Sequence, residues 1–116
     1  MMNLVEIARF VENLDETAAF YQSLTGIEPV ARSEGMAIFM LGGTKLFFHK
    51  TYQPGEGELP PEDHLAFEVE NLEQTCEALA GKGLTIEVPP KAYYWGTSAY
   101  LRDPSGRLIE LIEAEA

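Results

Sequence analysis

Short runs of alternating apolar and polar residues, separated by glycine and proline, organise this chain. Residues 4–11 and 64–69 show the alternation of a half-buried strand. Each run precedes a segment with helical spacing of apolar residues, which ends near Gly26 in one case and near Gly81 or Gly83 in the other. Three shorter strand-like runs follow each helix, at 28–32, 36–41, 45–50, 85–88, 97–102 and 108–112. The pattern predicts an α+β fold of two βαβββ modules.

A near-duplication supports the two modules. Residues 11–17 read Val-Glu-Asn-Leu-Asp-Glu-Thr and residues 69–75 read Val-Glu-Asn-Leu-Glu-Gln-Thr, so five of seven positions are identical at an offset of 58, half of the 116 residues. The proline- and glycine-rich stretch 51–63 reads as a linker. We therefore predict a single domain over 1–116, with module one at 1–50, the linker at 51–63 and module two at 64–116.

The repeat also relates polar residues. Subtracting 58 from His64 gives Glu6, so both lie at the starts of equivalent strands and on equivalent faces. Glu110 lies in the last strand-like run, between the same-face residues Leu108 and Ile112. Taken alone, His64 could be a core histidine with a hydrogen-bond partner, and Glu110 could be a glutamate at a solvent-exposed sheet edge. A polar group on a covered face nevertheless needs a partner, and their joint placement by the repeat favours a shared site.

In the last strand of the first module, two residues could correspond to Glu110. Aligning the final hairpins of the modules on Gly43 and Gly106 gives an offset of 63, which matches Glu110 to Phe47. His49 lies one same-face position further along. If His49 joins the others, both histidines of the chain and two glutamates point into one space. Two imidazoles and two carboxylates suit a divalent transition metal, and the carboxylates balance its charge.

Composition narrows the function classes. The chain has 46% hydrophobic residues, enough for a packed core, and no apolar run of the length of a membrane span. A single cysteine, Cys76, excludes an internal disulfide. With 19 acidic and 8 basic residues, the net charge is −11, which disfavours a nucleic-acid partner. We expect a cytoplasmic protein with no membrane partner and no signal peptide.

Two segments resemble the vicinal oxygen chelate superfamily, which includes glyoxalases, bleomycin-resistance proteins and extradiol dioxygenases. The segment from Val11 to Gly26 resembles the signature of the first module, and Tyr94–Thr97 with Tyr100–Leu111 resembles the closing signature of the second. The resemblance implies paired modules that form a curved mixed sheet around a cleft. It also implies a metal bound by residues on the first and last strands of each module.

Carried onto this chain, the resemblance implies Glu6, His64 and Glu110 as metal ligands, and the place of the fourth ligand falls on either Phe47 or His49. If His49 does not bind, water or substrate completes the shell. The metal would be zinc, nickel, manganese or iron, and would chelate adjacent oxygens of a small-molecule substrate in a lyase or isomerase reaction. Glu110 or Glu6 would serve as the base. Candidate substrate contacts are the aromatic residues Tyr93, Tyr94, Trp95, Tyr100 and Phe47.

The alternative function is a metal-free binding protein of the bleomycin-resistance type, which sequesters a cationic small molecule in an acidic, aromatic groove. The charge of −11 fits that function. Fosfomycin-type transfer is less favoured because the basic residues are scattered. Extradiol cleavage is less favoured because its sites have two histidines and one carboxylate. We expect a homodimer, with modules either paired within a chain or exchanged between chains.

Overall fold

The computed structural model describes residues 2–115, which form eight strands and two helices. The elements are β1 Asn3–Val11, α1 Leu14–Thr25, β2 Ala31–Arg32, β3 Met36–Leu41, β4 Thr44–Lys50, β5 His64–Val69, α2 Leu72–Gly81, β6 Ile86–Tyr93, β7 Gly96–Arg102 and β8 Leu108–Glu113. The order βαβββ therefore occurs twice, which confirms the predicted α+β class.

The chain divides into two compact units, and each holds one copy of the motif. The first unit is Glu6–Asp63, with strand order β2-β3-β4-β1. The second unit runs from His64 onward and includes the segment up to Val5; its strand order is β5-β8-β7-β6. In each unit the first strand pairs in parallel with the last, and the remaining pairs are antiparallel.

The repeated segment forms the same helix start in both units. The side chain of Asn13 accepts a hydrogen bond from the backbone N–H of Glu16 at 3.0 Å, and the side chain of Asn71 accepts one from that of Gln74 at 3.0 Å. One turn later, a threonine hydroxyl in each unit donates to the backbone carbonyl of its capping asparagine at 2.8 Å. The repeat thus encodes two equivalent N-caps.

Each helix covers one face of the strands of its own unit. In the first unit the buried cluster contains Leu14, Ala18, Ala37, Phe39 and Phe48. In the second unit it contains Val69, Leu72, Cys76, Ala99, Leu101 and Leu111. Within residues 2–115, neither helix has the length and apolar character needed to cross a membrane. The opposite strand faces carry the polar residues that the repeat singled out.

Two strands differ by more than one residue from the bounds expected from the sequence. Strand β2 covers only Ala31–Arg32 instead of 28–32, because Pro29 has no N–H to donate to a ladder. Strand β6 runs on through two prolines to Tyr93, with register shifts between Val88 and Lys91. Proline is tolerated there because β6 is an edge strand with a bulge.

Candidate metal centre

A half-buried histidine and a buried glutamate meet in the second unit. His64 is the first residue of β5, and Glu110 is the third of the adjacent parallel strand β8. The Nε2 atom of His64 lies 3.2 Å from Oε1 of Glu110, and the two side chains are 12% and 7% exposed. The fold therefore brings together two of the residues that the sequence placed in the site.

The second oxygen of Glu110 is held by two donors. The hydroxyl of Ser98 donates to Oε2 at 2.7 Å, and the indole N–H of Trp95 donates to the same oxygen at 3.2 Å. The indole N–H also lies 3.1 Å from Oγ of Ser98. Sequence reasoning missed Ser98. Strand alternation offered a signal, because Ser98 shares a face with Tyr100, which pairs with Glu110 across β7 and β8.

These contacts keep Glu110 in its charged form. Burial raises the pKa of the Glu110 carboxyl, but hydrogen bonds from His64, Ser98 and Trp95 and the charge interaction with His64 outweigh it, so its pKa is lowered. The pKa of the Tyr93 hydroxyl is raised, first by burial and then by the negative charge of Glu110. The centre therefore presents an ionised carboxylate.

The predicted aromatic contacts of the second unit occupy different environments. Tyr93 and Trp95 stack in parallel, with ring centroids 4.5 Å apart, and Tyr94 in the turn is 97% exposed. Tyr100 is buried and meets the ring of His64 edge-on at 6.5 Å. Tyr100 therefore supports the histidine, whereas Tyr94 lies open to solvent.

In the first unit, the strand registers show which residue of β4 holds the position equivalent to that of Glu110. Ala8 pairs with Phe47 across β1 and β4, as Ala66 pairs with Glu110 across β5 and β8. Phe47 is therefore the positional counterpart of Glu110. His49 lies two residues further along β4, and its ring stacks between Phe47 at 4.0 Å and Phe10 at 4.7 Å.

Glu6 occupies the place that the repeat assigned to it. It pairs with Lys45 on β4, and His64 pairs with Leu108 on β8, so the two residues hold equivalent register positions. Glu6 is half-buried and begins the first unit. It directly follows Val5, which is assigned to the same unit as His64 and Glu110.

The donor atoms of the second unit fit a divalent metal. Zinc binds nitrogen and oxygen at about 2.0–2.2 Å, so neighbouring ligands of a tetrahedral ion lie about 3.3 Å apart. The separation of 3.2 Å between His64 Nε2 and Glu110 Oε1 is close to that value. Hydrogen bonds to Oε2 also give the carboxylate the outer support that ligands of metal sites usually have.

The sequence matches a known family. The chain belongs to the Glyoxalase/Bleomycin resistance protein/Dioxygenase superfamily, whose family model matches residues 3–111. The metallothiol transferase FosB of Shouchella clausii (strain KSM-K16) is 29% identical over 112 residues, which cover 87% of this chain and 73% of that protein.

Solved structures share the fold at low sequence identity. The hypothetical protein BH1468 from Bacillus halodurans C-125 has a TM-score of 0.78 and 17% identity, and the match covers 99% of this chain and 96% of that one. A variant of methylmalonyl-CoA epimerase from Streptomyces coelicolor, in complex with 2-nitronate-propionyl-CoA, has a TM-score of 0.70 and 19% identity, with 98% of each chain covered.

Proposed function

We propose that this protein is a metal-dependent enzyme of the glyoxalase type, which acts on a small molecule with two adjacent oxygens. The observation that carries the proposal is the contact between the half-buried His64 and the buried Glu110. A nitrogen and an oxygen lie 3.2 Å apart on the strands where the family resemblance expects ligands. The expected metal is zinc, nickel, manganese or iron.

We assign the third ligand to Glu6. Its register position matches that of His64, and a second carboxylate would balance the charge of a dication. Phe47, which has no ligand atom, occupies the place of a fourth ligand in the first unit. Three protein ligands leave positions open for substrate, as catalytic metal sites require.

The roles of the two glutamates differ in this proposal. A divalent metal would supply Lewis-acid stabilisation of negative charge on adjacent substrate oxygens. Glu110 holds its position, because both of its oxygens have polar partners and the side chain is buried. Glu6 is the base that takes a proton from the substrate, because its half-buried side chain is nearer to solvent.

The reaction class is of the lyase or isomerase type, with thiol transfer as its competitor. The similarity to a metallothiol transferase supports metal-dependent chemistry on a small molecule. All eight lysine and arginine side chains of this chain are exposed, so none is buried beside Glu110 to bind a strongly anionic group. Proton transfer next to a carbonyl needs no such cluster.

Metal content tests the centre. The protein, prepared without a polyhistidine tag and loaded with zinc, nickel or manganese, is expected to bind one ion per chain. The variant His64→Ala should lose it. Since the chain has two histidines, His49→Ala is the matched control and should retain the ion. Loss in His49→Ala as well would restore His49 as a ligand.

The measurement of metal content also distinguishes the enzyme from the metal-free binding protein. If the wild-type protein binds no ion from a solution with excess metal, the enzyme proposal is wrong. Binding of a cationic aromatic dye by that metal-free protein would then support the sequestering function, for which the exposed Tyr94 and the net charge of −11 are suited.

Proton exchange tests the reaction class. The metal-loaded protein in heavy water should exchange the carbon-bound hydrogen of a small α-hydroxyketone, followed by proton NMR. Glu6→Gln should keep its metal through the amide oxygen and lose the exchange. Unchanged exchange in Glu6→Gln would contradict the assignment of the base.

A further inference from the structure

Trp95 and Ser98 converge on one oxygen of Glu110. The shortest of the contacts is the bond of 2.7 Å from the Ser98 hydroxyl to Oε2, and the indole N–H of Trp95 reaches the same atom at 3.2 Å. The other oxygen, Oε1, faces His64 at 3.2 Å. The two oxygens of this carboxylate therefore have different partners.

The different partners of the two oxygens determine which of them can bind a metal. Oε2 accepts the hydroxyl of Ser98 and the indole N–H of Trp95, which it shares with Oγ of Ser98, so its acceptor capacity is already engaged. Oε1 is then the atom that remains for a metal on the side of His64. The hydrogen bonds also prevent rotation of the carboxylate, because rotation would break two charge-assisted bonds.

Ser98 has the burial expected of such a support. It is 0% exposed in β7, and a hydroxyl placed there costs stability unless it is hydrogen-bonded. Trp95 holds its indole plane against Tyr93, with an interplanar angle of 2°, which directs its N–H toward Glu110. Strand β7 and the turn before it thus carry donors aimed at one atom.

We propose that Ser98 and Trp95 are positioning residues, which hold Oε2 of Glu110 so that the carboxylate binds the metal through Oε1 alone. This inference rests on the proposed function. In this proposal Trp95 supports the metal ligand Glu110, whereas the sequence suggested that Trp95 contacts the substrate. Loss of such outer support typically weakens metal binding by about 10–100-fold.

The test is the affinity for zinc alone, measured by competition with a chromophoric chelator. Ser98→Ala should bind zinc about 10–100-fold more weakly than wild type. Trp95→Phe keeps the ring stack and removes the N–H, so a smaller loss is expected. Ser98→Thr keeps the hydroxyl and should restore most of the affinity. Ser105→Ala is the matched control, because it removes a serine-to-carboxylate bond of the same 2.7 Å length in the β7–β8 turn.

A spectroscopic signal accompanies the affinity. Trp95 is the single tryptophan of the chain, so its fluorescence should change as zinc binds to the carboxylate that it contacts. In Ser98→Ala the midpoint of this change should move to higher zinc concentration. A purely structural role of Ser98 would lower the unfolding temperature without moving that midpoint in the folded protein.

The outcomes separate the two proposals. If His64→Ala loses zinc while Ser98→Ala and Trp95→Phe bind as wild type does, the positioning role is wrong and the metal centre stands. An equal loss in Ser105→Ala would also overturn it, since the effect would then be general. If the wild-type protein binds none of zinc, nickel, manganese or iron, both proposals fail.

Discussion

Removal of Glu110 should destabilise the metal-free protein more than removal of its partner His64. Glu110 accepts hydrogen bonds from Ser98 and Trp95 and faces His64, and its side chain is 7% exposed. Glu110→Ala deletes the acceptor shared by these three groups and leaves the buried hydroxyl of Ser98 without its carboxylate. His64→Ala leaves Glu110 with both of its other donors.

The magnitudes follow from those contacts. A hydrogen bond to a charged group contributes roughly 1.5–3 kcal/mol, and a buried donor left without an acceptor costs about 1–3 kcal/mol. Glu110→Ala should therefore lower the free energy of unfolding by about 3–4 kcal/mol, and His64→Ala by about 1–2 kcal/mol. The larger value is a sizeable part of a typical stability of about 5–15 kcal/mol.

Urea unfolding at neutral pH with excess chelator, followed by far-ultraviolet circular dichroism, measures the difference. Glu113→Ala is the control: Glu113 lies in the same strand, is exposed, and accepts a bond from the backbone N–H of Leu72 at 3.1 Å. Because Glu113→Ala removes one hydrogen bond to a carboxylate where Glu110→Ala removes three, it should cost roughly 1.5–3 kcal/mol, less than Glu110→Ala. If His64→Ala destabilises the protein as much as Glu110→Ala, Ser98 and Trp95 do not hold the carboxylate.

Two further predictions concern the caps and pH. Asn13→Ala and Asn71→Ala should each lower the free energy of unfolding by about 1 kcal/mol, and an aspartate at either position should restore it. Urea unfolding of the four variants measures these differences. An alanine variant as stable as wild type would contradict the capping role. The pKa of Glu110 lies below its ordinary value of 4.5 in the fold, so the stability that it contributes is complete above that pH and is lost as the pH falls through the lowered pKa. The difference in unfolding free energy between metal-free wild type and Glu110→Gln should therefore shrink on acidification below about pH 4.5, and a difference independent of pH would contradict the lowered pKa.

Local features of the fold were predictable because they depend on neighbouring residues. The capping bonds of Asn13 and Asn71 span three residues, and the turn at Gly42 and Gly43 joins β3 to β4 as expected. The bounds of β6 were not predictable, because its bulge and its edge position depend on pairing with β7. Strand propensity alone predicts that β6 ends before its two prolines.

The duplicated sequence by itself determined the order of elements, both helix starts and the equivalence of Glu6 with His64. All of these depend on residue periodicity and on hydrogen bonds between near neighbours. Only the tertiary structure placed Phe47 rather than His49 opposite Ala8, and only it joined Trp95 to Glu110, 15 residues away. Those relations depend on strand register and on the hairpin between β6 and β7, because a shift of one residue would turn each side chain to the other face.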